Sequence, residues 1–423
     1  MLPASVDVRP DERLPPDFHR LWAAYSASEL GSAIGAGALP FVALVVLDAG
    51  AAQVSLLAAL SAVSSAVIAL PIGSVVEFRR KRPIMVAADL VRFGALGSVP
   101  LAVAFDALTY LQLCLVGVVC TSGSIVFGAA SGAHLKGLVP PALRLEANSR
   151  FESTFWTATS AGPPLGGLLI TWLGATTTLV IDSVSFLLSA IGIRSLRSSE
   201  PAPPERPAGQ RHWREDVTAG WRHIFGHPGL RALFWNAMVF GGCIMMASPL
   251  LAVLMLRDLA FTPWQYGLAL GVPGLGGVVG SLCTKRLTAR FGARRILLTF
   301  GVGRTLWLGL VPWAPSGAGG LALIVASEFL LLFCAGVFNP TFVTYRMEAT
   351  ADSHLSRVAT AWSVSSRTAQ PVFILAGGLL AAVTSTRTSL VVGSVVLLTS
   401  AALLPWRTVA HQGAQDRQST ATT

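Results

Sequence analysis

Twelve stretches of this chain are apolar over close to the length that a helix needs to cross a lipid bilayer, roughly 20 residues for a core about 30 Å thick. The first six are Leu21–Leu47, Val54–Val76, Ile84–Ala104, Leu108–Gly132, Phe151–Leu173 and Thr176–Ile193. The second six are Leu230–Leu256, Trp264–Leu282, Ile296–Pro312, Gly320–Phe342, Val358–Val383 and Ser389–Trp406. Lipid offers no hydrogen bonds, so each stretch must satisfy its own backbone as a helix. Charged residues make up 12% of the chain, about half the share in soluble globular proteins. That excludes both a soluble multidomain protein and a disordered one. The expected class is an all-α membrane protein.

One long polar break, Arg197–His227, divides the spans six and six, and its run Ser198–Pro204 reads as a linker. The expected organisation is a cytoplasmic tail over 1–19, a six-helix bundle over 20–196, a cytoplasmic linker over 197–228, a second bundle over 229–407 and a cytoplasmic tail over 408–423. Residues 1–20 carry charges and prolines without an apolar core, so a removable signal peptide is not expected.

The net charge of +10 could be taken for a nucleic-acid signature. The positions of the charges decide otherwise. With the N-terminus in the cytoplasm, all but five of the 31 basic residues fall on the cytoplasmic side. Arg257 and Arg387 fall outside, and Arg92, Arg304 and Arg367 lie within spans. This is the positive-inside pattern of a multi-pass protein with both termini cytoplasmic, and no nucleic-acid partner is expected. The five cysteines all lie in apolar stretches, as small buried hydrophobes do, without disulfide or zinc-ligand spacing.

The halves repeat. Gly166–Ala190 and Gly377–Ala401, offset by 211, agree at 12 of 25 positions. Gly73-Ser74 and Gly280-Ser281, offset by 207, occupy matching places in spans 2 and 8. Two repeated bundles with a binding site at the midplane is a common carrier plan.

Between spans 2 and 3 the chain reads Gly73-Ser74-Val75-Val76-Glu77-Phe78-Arg79-Arg80-Lys81-Arg82-Pro83. This resembles the major facilitator superfamily signature Gly-x-x-x-Asp-Arg-x-Gly-Arg-Arg. The continuation Ala87–Arg92, Ala147-Asn148-Ser149, Gly162-Pro163-Pro164-Leu165-Gly166-Gly167 and Asp182–Phe186 resemble the drug-exporter branch that contains macrolide-efflux and enterobactin-exporter proteins. A weaker copy of the loop signature, Arg286–Arg295, includes Arg290, Gly292, Arg294 and Arg295. The resemblance runs roughly from Phe18 to Trp406. It implies the major facilitator fold, two pseudo-symmetric six-helix bundles, and a loop acid that latches the bundles at the cytoplasmic membrane edge. Glu77 stands where the signature has Asp, and Ala289 takes the acidic place in the second copy. A carboxylate there can accept from backbone donors at a helix N-terminus; the alternative is that Arg79–Arg82, with Arg80 and Lys81 among them, only fix topology. The glycine-rich span 5 is associated with antiport in exporters of this superfamily.

A charge at bilayer depth costs about 2.5–3.5 kcal/mol on insertion scales and usually faces a cavity or a partner. Glu29 lies near the middle of span 1, on a polar face with Tyr25 and Ser32, while Gly31 and Gly35 form a Gly-x-x-x-Gly contact surface. Glu328 lies near the middle of span 10. In the family both spans border the central cavity, which makes Glu29 and Glu328 candidate proton or cation sites. Asn236, among Phe234, Trp235, Met238, Met245 and Met246, is a candidate ligand contact, with helix packing the alternative. Arg304 and Arg367 are candidates either to counter Glu328 or to bind an anionic substrate. Asp89 and Arg92, three residues apart, are expected to pair locally, and Asp182 is placed either in an interhelical hydrogen bond or at the substrate.

No His-Glu-x-x-His, Gly-x-Ser-x-Gly or Gly-x-x-x-x-Gly-Lys-Ser/Thr motif occurs, so metalloprotease, serine-hydrolase and ATP-driven schemes lack their parts. No enzyme activity, metal or cofactor is expected. The reading is a monomeric secondary transporter of the cell membrane that exports a small hydrophobic or amphipathic compound in exchange for protons. An importer, uniporter or sensor on the same fold is the alternative.

Overall fold

The computed structural model describes residues 14–140, 143–198, 200, 213–350 and 354–406. Among them, eleven helical runs are long and apolar enough to span a membrane. Ten correspond to single spans. The remaining run, Glu146–Arg194, has 49 residues, about 74 Å at 1.5 Å per residue and more than twice a hydrocarbon core. It bends at Gly174, whose φ of 83° and ψ of 159° lie outside helical space in a region open essentially to glycine alone. Spans 5 and 6 are therefore two helices within Arg144–Arg194 that meet at the kink of Gly174. Divided at Gly174, the eleven runs among the described residues correspond to the twelve spans read from the sequence.

Local chemistry sets the helix ends. Thr109 accepts from the Gln112 N–H at the start of span 4, and Thr262 and Gln265 form a capping box at the start of span 8. Ser385 caps span 12 through the Thr388 N–H at 3.1 Å. Prolines and glycines interrupt where the sequence places them. Span 8 is built as Pro263–Gly271 and Gly274–Phe291 with Pro273 at the join, and it extends beyond the predicted end at Leu282 into the second signature loop. Large apolar side chains such as Leu111, Trp172, Leu282 and Val383 are exposed at 68–80%, which suits hydrocarbon as the solvent.

The helices sort into two compact units. The first holds span 1, the later part of span 2 and spans 3–6, around a core that includes Phe18, Leu21, Met85, Phe127 and Ile193. The second holds spans 7–12 around Leu233, Phe234, Phe338 and Trp362. One boundary differs from the expected division at the linker: Ala49–Val63, the start of span 2, groups with the second unit. The cause is a close approach at Gly378, where a Cβ would collide with Ser55, together with a 3.3 Å hydrogen bond from the Arg257 guanidinium to the Ala49 carbonyl.

The polar break is also more structured than a linker. Its start is bound to the first unit, where Arg197 N–H donates to Asp17 Oδ2 at 2.9 Å. Its end is a 14-residue helix, Trp213–Gly226, that packs on span 11 within the second unit. Ile224 there is fully buried, and Gly220 sits so close to the Arg357 carbonyl that a Cβ would clash. The predicted tails lie outside the described residues except for 14–19.

Candidate functional site

In the first unit the intramembrane charges converge on Arg92. This residue of span 3 is 5% exposed, and Asp89, one turn earlier, is fully buried. Arg92 Nη1 donates to Asp89 Oδ1 and to Ser28 Oγ, both at 3.3 Å, while Nη2 donates to Ser32 Oγ at 3.0 Å. Its guanidinium carbon lies 3.8 Å from the Phe186 ring centroid, a cation–π contact. Gly123 makes room for the stem, since a Cβ there would meet Arg92 Cγ at 2.6 Å and Cδ at 2.7 Å. The expected local pair thus exists, but Arg92 also ties span 3 to spans 1 and 6.

Asp182 of span 6 is 5% exposed and packs against span 1, where Cβ atoms at Gly31 and Gly35 would run into Ser185 and Asp182. The Gly-x-x-x-Gly surface is therefore the seat of the Asp182 carboxyl. Glu29, half-buried, falls within electrostatic range of Arg92, and Tyr25 stacks on Phe151 with ring centroids 4.4 Å apart. Beside them an apolar groove of about 400 Å³ is lined by residues that include Ala27, Leu30, Ile34, Val180 and Val184.

The second unit buries its charge differently. Arg304 of span 9 is 3% exposed, and its Nη2 donates to Asn236 Oδ1 at 2.5 Å. Asn236 is fully buried and donates to the Ser400 carbonyl at 2.7 Å. The Arg304 guanidinium lies 3.9 Å from the Phe240 ring and 3.7 Å from the Phe338 ring. These contacts join Asn236 and Arg304 to each other inside the bundle, and among the described residues Arg304 forms no ion pair with Glu328. The methionines near Asn236 follow the same pattern: Met238 and Met246 are buried, and Met246 fills space left open by Gly377 and Gly393. Glu328 of span 10 is half-buried, and its Oε1 has no hydrogen-bond partner. Arg367 lines a separate cavity of about 470 Å³ with Arg346, Trp362, Ser363, Ser366 and Gln370.

At the first signature loop, the carboxylate that caps the helix of span 3 (Lys81–Ala104) is that of Glu200. It accepts from the Lys81 N–H and, at 3.4 Å, from the Arg82 N–H. Arg82 in turn donates to the Leu196 carbonyl at 3.1 Å and to Ser198 Oγ at 2.8 Å. Gly73 and Glu77 fall near the end of the helix of span 2, with side chains outside the described residues. Arg80 is exposed at the N-cap of span 3. In the second copy Gly292, at φ 82°, turns the chain between spans 8 and 9, and Arg290, Arg294 and Arg295 are exposed.

Comparison with known proteins fits this architecture. The family model described as transmembrane secretion effector matches residues 15–327, and that of the major facilitator superfamily matches residues 233–422. The chain belongs to the major facilitator superfamily. Among curated relatives, the transporter is 26% identical over 369 residues to the multidrug efflux pump Tap of Mycolicibacterium fortuitum, covering 84% of this chain and 88% of that one. It is 25% identical to the Tap pump of Mycobacterium tuberculosis over 377 residues, 86% of each chain. Among solved structures, a bacterial homologue of the iron transporter ferroportin, in its inward-facing state, matches with a TM-score of 0.73 at 17% identity, over 93% of this chain and 98% of that one. The nucleoside transporter NupG matches with a TM-score of 0.72 at 12% identity, over 93% and 100%.

In the transporter the glycines of span 5 act at backbone distance. A Cβ at Gly162 would strike Ala33, and one at Gly166 would strike the Ile34 carbonyl, so the motif seats span 5 on span 1. Pro163 and Pro164 sit inside this helix, and the Gly167 carbonyl accepts from Thr171 Oγ1 at 2.7 Å. Sequence reasoning missed Glu200 and Asp17, because their targets are more than a hundred residues away in the chain. Among the described residues no three His, Cys, Asp or Glu side chains group as metal ligands.

Proposed function

We propose that the protein is an exporter of small hydrophobic or amphipathic compounds, such as drugs, natural products or siderophore-like molecules, driven by proton antiport. The observation that carries the reading is the match over most of the chain to relatives named multidrug efflux pumps. The glycine-seated span 5 and the apolar groove between spans 1 and 6 agree with it. The protein works as a monomer in the cell membrane with both termini cytoplasmic, its bundles alternating access to a midplane site.

Glu29 and Glu328 are the coupling acids in this reading, and the signature loops, with Glu77 and Glu200 at the first, govern opening toward the cytoplasm. The Glu328 Oε1 without a partner is the kind of group that exchanges a proton when its surroundings change. Moving one charge through 100 mV supplies about 2.3 kcal/mol, enough to raise a concentration gradient roughly fifty-fold.

The test is ethidium flux in sealed inverted vesicles under an imposed pH gradient, with Glu29→Gln and Glu328→Gln beside the parent. Gradient-driven uptake by the parent, with strong loss in either variant, is expected. Undiminished flux in both variants removes the coupling assignment, and flux that requires ATP removes the carrier mechanism.

A further inference from the structure

The polar cluster of the first unit is unbalanced. Asp89 and Asp182, both more than nine-tenths buried, share one buried guanidinium, that of Arg92. Arg92 directs its Nη hydrogen bonds to Asp89, Ser28 and Ser32, and its Nε–H is buried without a partner, making no hydrogen bond to Asp182. Asp182 Oδ1 and Asp89 Oδ2 are buried without hydrogen-bond partners. The Ser185 hydroxyl donates to the backbone carbonyl of Asp182 at 2.7 Å, and that of Ser189, beside Asp89, is buried without a hydrogen-bond partner. The other titratable groups facing Arg92 are Glu29 of span 1 and Cys120 of span 4, and neither supplies a positive charge. Two ionised carboxylates on one guanidinium would leave a net negative charge in a low-dielectric site, where an unpaired ion is costly.

We propose that this cluster is a proton-binding site and that Asp182 carries the proton. The neutral acid fits between the span 1 glycines, and Arg92 rests on Asp89. On release of the proton from the Asp182 carboxyl, the new carboxylate competes with Asp89, Ser28 and Ser32 for Arg92. The exchange alters the bonds that hold span 1 to span 3, at the wall of the apolar groove lined by Gly31 and Ser185. This deepens the proton-coupled reading and rests on it only for its role in transport; proton binding is a separate claim.

The experiment is infrared difference spectroscopy of the purified full-length protein between pH about 6 and about 9, a range in which exposed carboxylates stay ionised. The parent should lose a carboxylic-acid carbonyl band as the pH rises. Asp182→Asn should lack that component. Asp89→Asn should lack it as well, because Arg92 is then free to hold Asp182 ionised, whereas a merely structural Asp89 would leave the band in place. Glu29→Gln and Glu328→Gln should keep it. An unaltered band in Asp182→Asn, or in Asp89→Asn should the first variant not fold, overturns the proposal. Parent flux indifferent to the pH gradient, with the band pattern as expected, overturns the coupling and upholds the site. Gradient-driven flux with an unaltered band does the reverse.

Discussion

Arg92 and Arg304 lie in spans 3 and 9, offset by 212 residues, close to the 211 that relates Gly166–Ala190 to Gly377–Ala401. Both are buried in the membrane, yet they are neutralised in different ways. Arg92 faces carboxylates and hydroxyls; Arg304 faces one amide and two aromatic rings. The positions matching Asp89 and Asp182 in the second half are Gly301 and Gly393. The space over those glycines is taken by Leu404 and by the Met246 methyl. A duplicated scaffold has kept the cation in both halves while only the first keeps the acids. Among the described residues, the buried guanidinium of the first unit meets carboxyl groups, and that of the second meets an amide and aromatic rings, which carry no exchangeable charge.

Removing each cation is the strongest way to break this comparison. Arg92→Met should cost about 3–5 kcal/mol, since it strands the buried Asp89 carboxylate without its counter-charge. Arg304→Met should cost less, about 1–3 kcal/mol for the Asn236 carbonyl left unpaired. Denaturation of the detergent-solubilised proteins measures both, and equal losses would erase the distinction. Adding Asp89→Asn and Asp182→Asn to the Arg92→Met chain should recover most of its loss.

The glycines sharpen the same contrast at smaller scale. Gly35→Ala should destabilise by about 1–3 kcal/mol through overpacking, because Asp182 is fixed between spans 1 and 6. Gly301→Ala should cost about 1 kcal/mol or less, since a Cβ there meets the rotatable end of Leu404 at 2.9 Å. Melting temperatures in reverse order would show that the first unit's cluster is the looser of the two.

The smallest effect expected is at the start of span 7, where His227 Nδ1 accepts from the Leu230 N–H at 3.2 Å. Burial, and then the neighbouring His223, hold the His227 pKa below the usual histidine value. The unfolded chain therefore binds a proton at a pH where the folded chain still refuses it. Its contribution is complete above the unfolded pKa near 6.5 and is lost as pH falls through the lower folded pKa. His227→Ser should keep the cap to within about 1 kcal/mol and flatten that acid-side decline in a pH series of melting curves. An unchanged slope in the variant would assign the decline elsewhere.

The spans, the repeat and the local Asp89–Arg92 pair are legible in the sequence, because apolar length and residue offsets are local properties. Partners are not. Asn236 reads as a ligand contact beside aromatic and sulfur side chains, and only the folded bundle brings Arg304 to it from 68 residues away. The Arg92–Asp89 pair is visible at three residues' spacing, but Ser28 and Ser32 as its further acceptors are not. The linker helix did leave a trace. Trp213, Val217, Trp221 and Ile224 recur at helical spacing, obscured by the charged residues between them and by the proline-rich run before it.

Gly174 gives spans 5 and 6 the mechanics of a two-armed lever on a single pivot. One arm carries Gly162 and Gly166, which ride on the backbone of span 1; the other carries Asp182, lodged against the same helix. Nothing lies within 4 Å of where a Cβ at Gly174 would sit, so the joint is held by the seating of both arms on span 1 and not by neighbours of its own. A force applied to one arm reaches the other through one residue, with no slack loop to absorb it.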